Sequence, residues 1–199
     1  MNIEISNVTK TYGDKTVLKD FSMEVHGGEC VVLMGTSGSG KTTLLRILMG
    51  LEPVDSGTVD MGGGKIGAVF QENRLCESFT VRENMEMVLS GQYDRKLAEK
   101  TMRTCLEKVG LEDWENEPIS KLSGGMKRRV AIVRAIVYAQ MMGADTILMD
   151  EPFKGLDEET KLQVMDFVRE STGNRTFLLV THDESEADFF SGRVVVIES

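Results

Sequence analysis

Four short apolar runs in this chain end alike. "CVVLM" runs into Gly35, "IGAVF" into Gln71, "TILM" into Asp150, and "TFLLV" into Thr181 and His182. Continuous apolar runs of this length read as strands buried on both faces, the pattern of a parallel sheet covered by helices. In an open sheet of that kind, ligands bind at the carboxyl ends of the strands. A glycine, an amide, a carboxylate and a histidine delivered to that edge predict one site on an α/β core.

The remaining segments fit around this core. "IEISNV" and "VLKDFSMEV", separated by the turn chemistry of "YGDK" at 12–15, read as antiparallel strands. "GTVDMGGGK" at 57–65 reads as a further hairpin with Gly62 to Gly64 in its turn. Between Gln71 and Asp150 the pattern becomes helical. Thr80 and Glu83 form a capping-box pair ahead of "VRENMEMVL". "DRKLAEKTMRTCLEKVG" places Leu97, Met102, Cys105, Leu106 and Val109 on one face and stops at Gly110. "SGGMKRRVAIVRAIVYAQ" is a third helix. The expected organisation is one domain over 1–199. Residues 1–71 and 141–199 form the α/β core with its antiparallel part, and 72–140 form an inserted helical subdomain.

Composition excludes several functions. A net charge of -9 opposes wrapping of nucleic-acid phosphates and electrostatic anchoring to a membrane. The three cysteines, Cys30, Cys76 and Cys105, have no metal-ligand spacing and make no disulfide framework. The N-terminus lacks the basic and apolar regions of a signal peptide. Its most apolar helical stretch, Val130 to Met142, carries Arg134 and Gln140 and is too short to span a bilayer. Any membrane part must come from another chain.

The segment "MGTSGSGKTT" fits G-x-x-x-x-G-K-[ST] with Gly35, Gly40, Lys41 and Thr42. Glycines let successive N–H groups of Gly35, Thr36, Ser37, Gly38, Ser39 and Gly40 face one concavity at a helix N-terminus, an anion nest that continues into Lys41, Thr42 and Thr43. Lys41 is placed to reach the β- and γ-phosphates of a nucleotide, and the Thr42 hydroxyl to ligate Mg²⁺. Asp150, ending an apolar strand, supplies a carboxylate near that ion. Glu151, one residue on, suits a general base that polarises the attacking water. A second nest appears in "KLSGGMKRR" at 121–129, where Ser123 can cap a helix whose first turn holds Gly124 and Gly125. One chain needs only one phosphate nest, so the second suggests a site shared between subunits. Lys127, Arg128 and Arg129 read as a solvated basic face.

In order, "GTSGSGKT", Gln71 after "AVF", "LSGGM", "ILMDE", "GLD" with Asp157 and "THD" with His182 resemble the ATP-binding subunits of ABC transporters over essentially the whole chain. The resemblance implies a P-loop NTPase core and a head-to-tail homodimer with two ATP molecules sandwiched between subunits. Each ATP would touch one phosphate loop and the other subunit's Ser123 and Gly125. Tyr12 sits where the family has an aromatic that stacks on adenine. His182 would contact the γ-phosphate and steady the water with Glu151, and Gln71 would contact Mg²⁺ and water. The implied partners are a separate transmembrane permease, on whose cytoplasmic face the ATPase sits, and a solute-binding protein if the system imports. The segment "FQENRLCESFTVRENM" resembles the region that receives a permease coupling helix, and the style is that of nitrate, sulfonate and taurine importers. Two departures stand out: Met126 where the family usually has Gln, and "FKGLD" with Lys154 where "SALD" or "SGLD" is usual. The sequence ends in "RVVVIES", and no C-terminal regulatory domain is expected in it. The rival within the family is an ATPase controlling a non-transport membrane or division complex; a DNA-repair or translation ATPase is disfavoured by the acidity and by the lack of coiled-coil insertions.

Overall fold

A computed structural model describes residues 2–91 and 93–197. A three-stranded antiparallel sheet is built from β1 (Ile3–Tyr12), β2 (Lys15–Val25) and β4 (Ser56–Asp60), in the order β2-β1-β4. A five-stranded parallel sheet holds β3 (Cys30–Met34), β5 (Ile66–Val69), β6 (Thr146–Asp150), β7 (Thr176–Val180) and β8 (Arg193–Val196), in the order β5-β6-β7-β3-β8. The four apolar runs are four of its five strands. Each side of the parallel sheet carries its own core, because successive strand side chains point to opposite faces. Val31, Leu33, Leu148, Leu178 and Val180 pack with α1 (Lys41–Leu48) and the antiparallel sheet. Val32, Ile147, Met149, Phe177 and Leu179 pack with the other helices.

Those helices are α2 (Val81–Glu86), α3 (Arg95–Lys108), α4 (Gly124–Met142), α5 (Glu158–Thr172) and α6 (Glu184–Phe190). Thr80 and Glu83 close the expected capping box: the Glu83 N–H donates to Thr80 Oγ1 at 3.1 Å and the Thr80 N–H to Glu83 Oε2 at 2.7 Å. In α3 the buried face runs through Ala98, Met102, Cys105 and Leu106. The expected Leu97 is instead 52% exposed, since one residue earlier on a helix turns its side chain about 100° off that stripe. Helix α4 lies close against β5: a Cβ added to Gly67 would stand 3.0 Å from the Ala135 carbonyl oxygen.

The hairpin expected at 57–65 does not form. Strand β4 pairs antiparallel with β1, Ile5 opposite Val59, while β5 pairs parallel with β6, Ile66 opposite Thr146. Gly62, Gly63 and Gly64, all at positive φ, pass the chain from one sheet to the other. A glycine run signals a reversal but does not say whether the next strand returns to the same sheet. Strand β8 forms from "RVVV" and pairs with β3, an edge position that leaves Val194 and Val196 about half exposed.

Candidate active site

The loop after β3 is shaped by glycines that nothing larger can replace. Gly35 has φ 146, and a Cβ there would lie 2.4 Å from the Ile197 carbonyl oxygen. Gly40 has φ 101, and its Cβ would lie 2.5 Å from the Val17 carbonyl oxygen. Gly40 is also the N-cap of α1 and brings no side-chain acceptor, so the first turn of the helix keeps donors free for an anion. The Lys41 ammonium, 7% exposed, donates to the carbonyls of Gly35 and Thr36 at 2.8 Å each, so the loop is wrapped round its own cation.

At the end of β6, Asp150 is 3% exposed, and its Oδ1 has no hydrogen-bond partner. Burial and the charge of Glu151 push its carboxyl pKa up; the neighbouring Thr42 hydroxyl and the charges of Arg128 and Lys41 pull the other way. A buried, unpartnered carboxylate oxygen beside the Thr42 hydroxyl fits a hard cation. Among the described residues there is no cluster of three or more His, Cys, Asp or Glu able to hold a metal.

Glu151 follows in a left-handed conformation, φ 45, worth about 1–2 kcal/mol of strain for a residue with a Cβ. Its N–H donates to the Val180 carbonyl at 2.9 Å. Its side chain is gripped from two sides: Lys154 Nζ donates to Oε2 at 2.7 Å, and His182 Nδ1 lies 3.2 Å from Oε1. Burial, the largest influence, raises the Glu151 pKa, but the bonds and charges of Lys154 and His182 outweigh it and hold the carboxyl below its ordinary value. At neutral pH Glu151 is therefore a carboxylate, the form a general base needs.

One cavity of about 320 Å³ gathers Tyr12, Ser37, Gly38, Gly40, Lys41, Thr42, Thr43, Gln71 and Glu151. Lys15 and Val17, which the sequence reading passed over, line it too. The signal for Lys15 was its place directly after the Tyr12 turn; a Cβ on Gly38 would stand 3.4 Å from its Nζ. A smaller adjoining cavity, about 120 Å³, is lined by Thr42, Gln71 and Asp150 among others. His182 lines a third, together with Glu151 and Lys154. Gly35, Thr36 and Ser39 shape the loop from behind; Ser39 is fully buried, with its hydroxyl unpartnered.

Ser123, Gly124 and Gly125 are not among the lining residues of these cavities, although a Cβ on Gly125 would stand 3.5 Å from Leu156, which lines the third. Ser123 is exposed and caps α4, accepting from the Met126 N–H at 3.3 Å. Asp157 is exposed as well and caps α5, accepting from the Thr160 N–H at 3.0 Å.

The family model described as ABC transporter matches residues 18–154. The chain belongs to the ABC transporter ATPase family. It is 41% identical over 199 residues to an aliphatic sulfonates import ATP-binding protein of Rhodococcus jostii (strain RHA1), covering 99% of this chain and 71% of that protein. A second such protein, of Pseudomonas savastanoi pv. phaseolicola, is 39% identical over 201 residues, covering 100% and 81%. The fold superposes on a solved dimeric bacterial ABC transporter cassette with a TM-score of 0.85 and 32% identity, over 98% of this chain and 94% of that one.

Within this ABC ATPase, the departures from the family pattern have physical roles. Met126 turns its side chain towards the core under α4, where an amide would be poorly placed. Lys154 is the residue that grips Glu151. One expectation is overturned: the basic run after the glycines is not a solvated face. Lys127 pairs with Glu77 at 2.9 Å, and Arg129 reaches inward to the Val109 carbonyl at 2.5 Å. Arg128 is 4% exposed and buried among main-chain carbonyls. A guanidinium can be buried where carbonyls saturate its donors, and no count of charges along the chain reveals that they will.

Proposed function

We propose that this ATPase works as an ATP-sandwiched homodimer that energises solute import through a separate membrane permease. The observation that carries the reading is a division of labour. Lys41, Thr42, Gln71 and Glu151 line one cavity, whereas Ser123, Gly124 and Gly125 are absent from its lining, as residues that complete a partner's site would be. The nearest supports for import are the two sulfonate-import relatives; a sulfonate-like anion is the substrate class they suggest, and a solute-binding protein would deliver it. Neither residue pattern nor charge gives nucleic acid a place here. Among the described residues no helix is long and apolar enough to cross a membrane, so the subunit would sit peripherally, on the cytoplasmic face where ATP is present.

The chemistry follows from the side chains. The loop N–H groups and Lys41 hold the phosphate tail, and Tyr12 is exposed at the rim to stack on adenine. Thr42, Asp150 and Gln71 would hold Mg²⁺, which supplies neutralisation of charge on the phosphate oxygens. Glu151 accepts a proton from water as the water oxygen attacks the γ-phosphorus and the bond to the bridging oxygen breaks, releasing ADP. His182, 3.2 Å from the same carboxylate, keeps it aimed and can donate to the γ-phosphate. Residues 72–140 would then act as the moving subdomain. Beside them an apolar cavity of about 330 Å³, lined by Ile66, Phe70, Met87, Val88 and Tyr138 among others, follows directly on Gln71 and suits a permease coupling helix.

The test is co-purification with a multi-span permease and a solute-binding protein, combined with ATPase assays in reconstituted vesicles. Hydrolysis stimulated by the loaded binding protein, and lost with Lys41→Ala, is the expected result. Isolation with a non-transporting membrane complex would replace transport with the rival role.

A further inference from the structure

The geometry points to Arg128 as a positioning residue for hydrolysis: one buried guanidinium, carried by the helix that begins with Ser123, Gly124 and Gly125, fixes the backbone of Gln71 and of Glu151 in a single arrangement. This rests on the ATPase reading above and extends it to a residue outside the cavity.

All three nitrogens of the guanidinium are occupied. Nε donates to the Pro152 carbonyl at 2.8 Å, and Nη2 donates to the carbonyls of Asp150 at 2.7 Å and Glu151 at 2.6 Å. Nη1 donates to the carbonyl of Phe70 at 2.5 Å and, at 3.3 and 3.2 Å, to the Gln71 carbonyl and Asn73 Oδ1. Three consecutive carbonyls at the end of β6, from Asp150 to Pro152, and two after β5 thus converge on one rigid plane. Glu151 needs this support. Its left-handed backbone is fixed at the N–H by Val180 and at the carbonyl by Arg128, so its carboxylate is aimed from both ends. Gln71, just past the neighbouring strand β5, is tied to the same plane. Because α4 is a continuous helix from Gly124, whatever engages its N-terminus also acts on the body that holds Arg128. A lysine keeps the charge but has one nitrogen and no fork, so it cannot span both strand ends.

The experiment compares Arg128→Lys and Arg128→Gln with Arg175→Gln. Arg175 is a distant arginine that bonds the Ala144 and Ser171 carbonyls and serves as a control for lost stability alone. Each full chain is titrated with ATP to count competent sites, and kcat is expressed per bound nucleotide. A positioning role predicts that both Arg128 variants keep ATP affinity within about threefold while kcat per site falls at least tenfold. Arg175→Gln should lower the melting temperature and leave kcat per site at the parental value. Parental kcat per site in Arg128→Lys, with the parent active, would overturn the proposal; a parent that never hydrolyses ATP would instead overturn the ATPase reading. A measurement on the parent chain covers variants that do not fold. Amide exchange over 70–73 and over 150–153 should slow together when ATP is added, and slowing of one segment without the other counts against a shared bracket.

Discussion

Among the described residues two helix N-termini bear glycine, at α1 and at α4, and they differ in what surrounds them. Around the first, the chain leaves no room: Gly35 and Gly40 lie against carbonyl oxygens of Ile197 and Val17, and Lys41 is buried. At the second, a Cβ on Gly124 would meet nothing within 4 Å, and Ser123 is exposed. The first nest is finished by its own chain. The second is rigid underneath, through Arg128, and open above. On the proposed reading, the enclosed nest would bind its phosphate without help, and the open one would meet its ligand on a partner's surface.

The largest effect that sharpens this contrast is on the enclosed side. Glu151→Gln should cut hydrolysis by about 10²–10⁴-fold while ATP affinity stays close to parental, the scale expected when a general base is lost. Single-turnover assays and calorimetric titration check both halves, and parental turnover would remove Glu151 from the role. Gly40→Ala comes next. A left-handed φ and a carbonyl at 2.5 Å should together cost about 2–5 kcal/mol of stability, read by denaturant unfolding. Gly124→Ala should be neutral or stabilising by up to about 1 kcal/mol, because the site is open and helical. Equal costs at the two glycines would erase the comparison.

Ser123→Arg, made in the Glu151→Gln background, should abolish ATP-driven dimerisation with nucleotide binding retained, as light scattering in ATP and in ADP would reveal. Removing the Ser123 cap should cost about 0.5–2 kcal/mol of stability. Dimerisation as strong as in the Glu151→Gln parent would leave the open turn as a helix cap and nothing more. The smallest effect concerns Lys154. Its exposed ammonium helps hold the Glu151 carboxyl low, so the base in the parent stays ionised to lower pH. In Lys154→Ala that carboxyl moves up, and the acid limb of the kcat profile moves to higher pH, with kcat at neutral pH changed by about twofold or less. The stability sign agrees: a depressed carboxyl stabilises the fold above its unfolded pKa and loses that contribution as pH falls, so parent and variant converge in acid. An acid limb that stays in place would show that Lys154 does not act on the base.

What could be read from sequence was whatever depends on near neighbours along the chain. The four apolar strands, the Thr80–Glu83 box and the glycine loop before Lys41 are local patterns, and each appears where its residues placed it. Partners distant in sequence were not legible. Gly62 to Gly64 looked like a hairpin because the destination of β5 depends on β6, some eighty residues later. Arg128 looked solvated because its acceptors belong to the ends of β5 and β6. Lys154 was visible as a departure, but its grip on Glu151 required the left-handed turn between them. Strand β8 is short and half exposed, so its "RVVV" carries little of the buried pattern that marked the other four.

The strand order β5-β6-β7-β3-β8 has a consequence for how the chain is made. Strand β7, next to last in sequence, occupies the middle of the parallel sheet, between β3 and β6. In a nascent chain that has emerged as far as Glu151, the Lys41 loop follows β3, whose two sheet neighbours, β7 and β8, are still unmade, while the carboxylates end the β5-β6 pair. The two pieces join only when residues 176–180 insert, a long-range step of the slow kind. Until then the Lys41 loop and the two carboxylates stay on separate pieces, and both edges of β3 and the β7-facing edge of β6 lie open to chaperones or to aggregation.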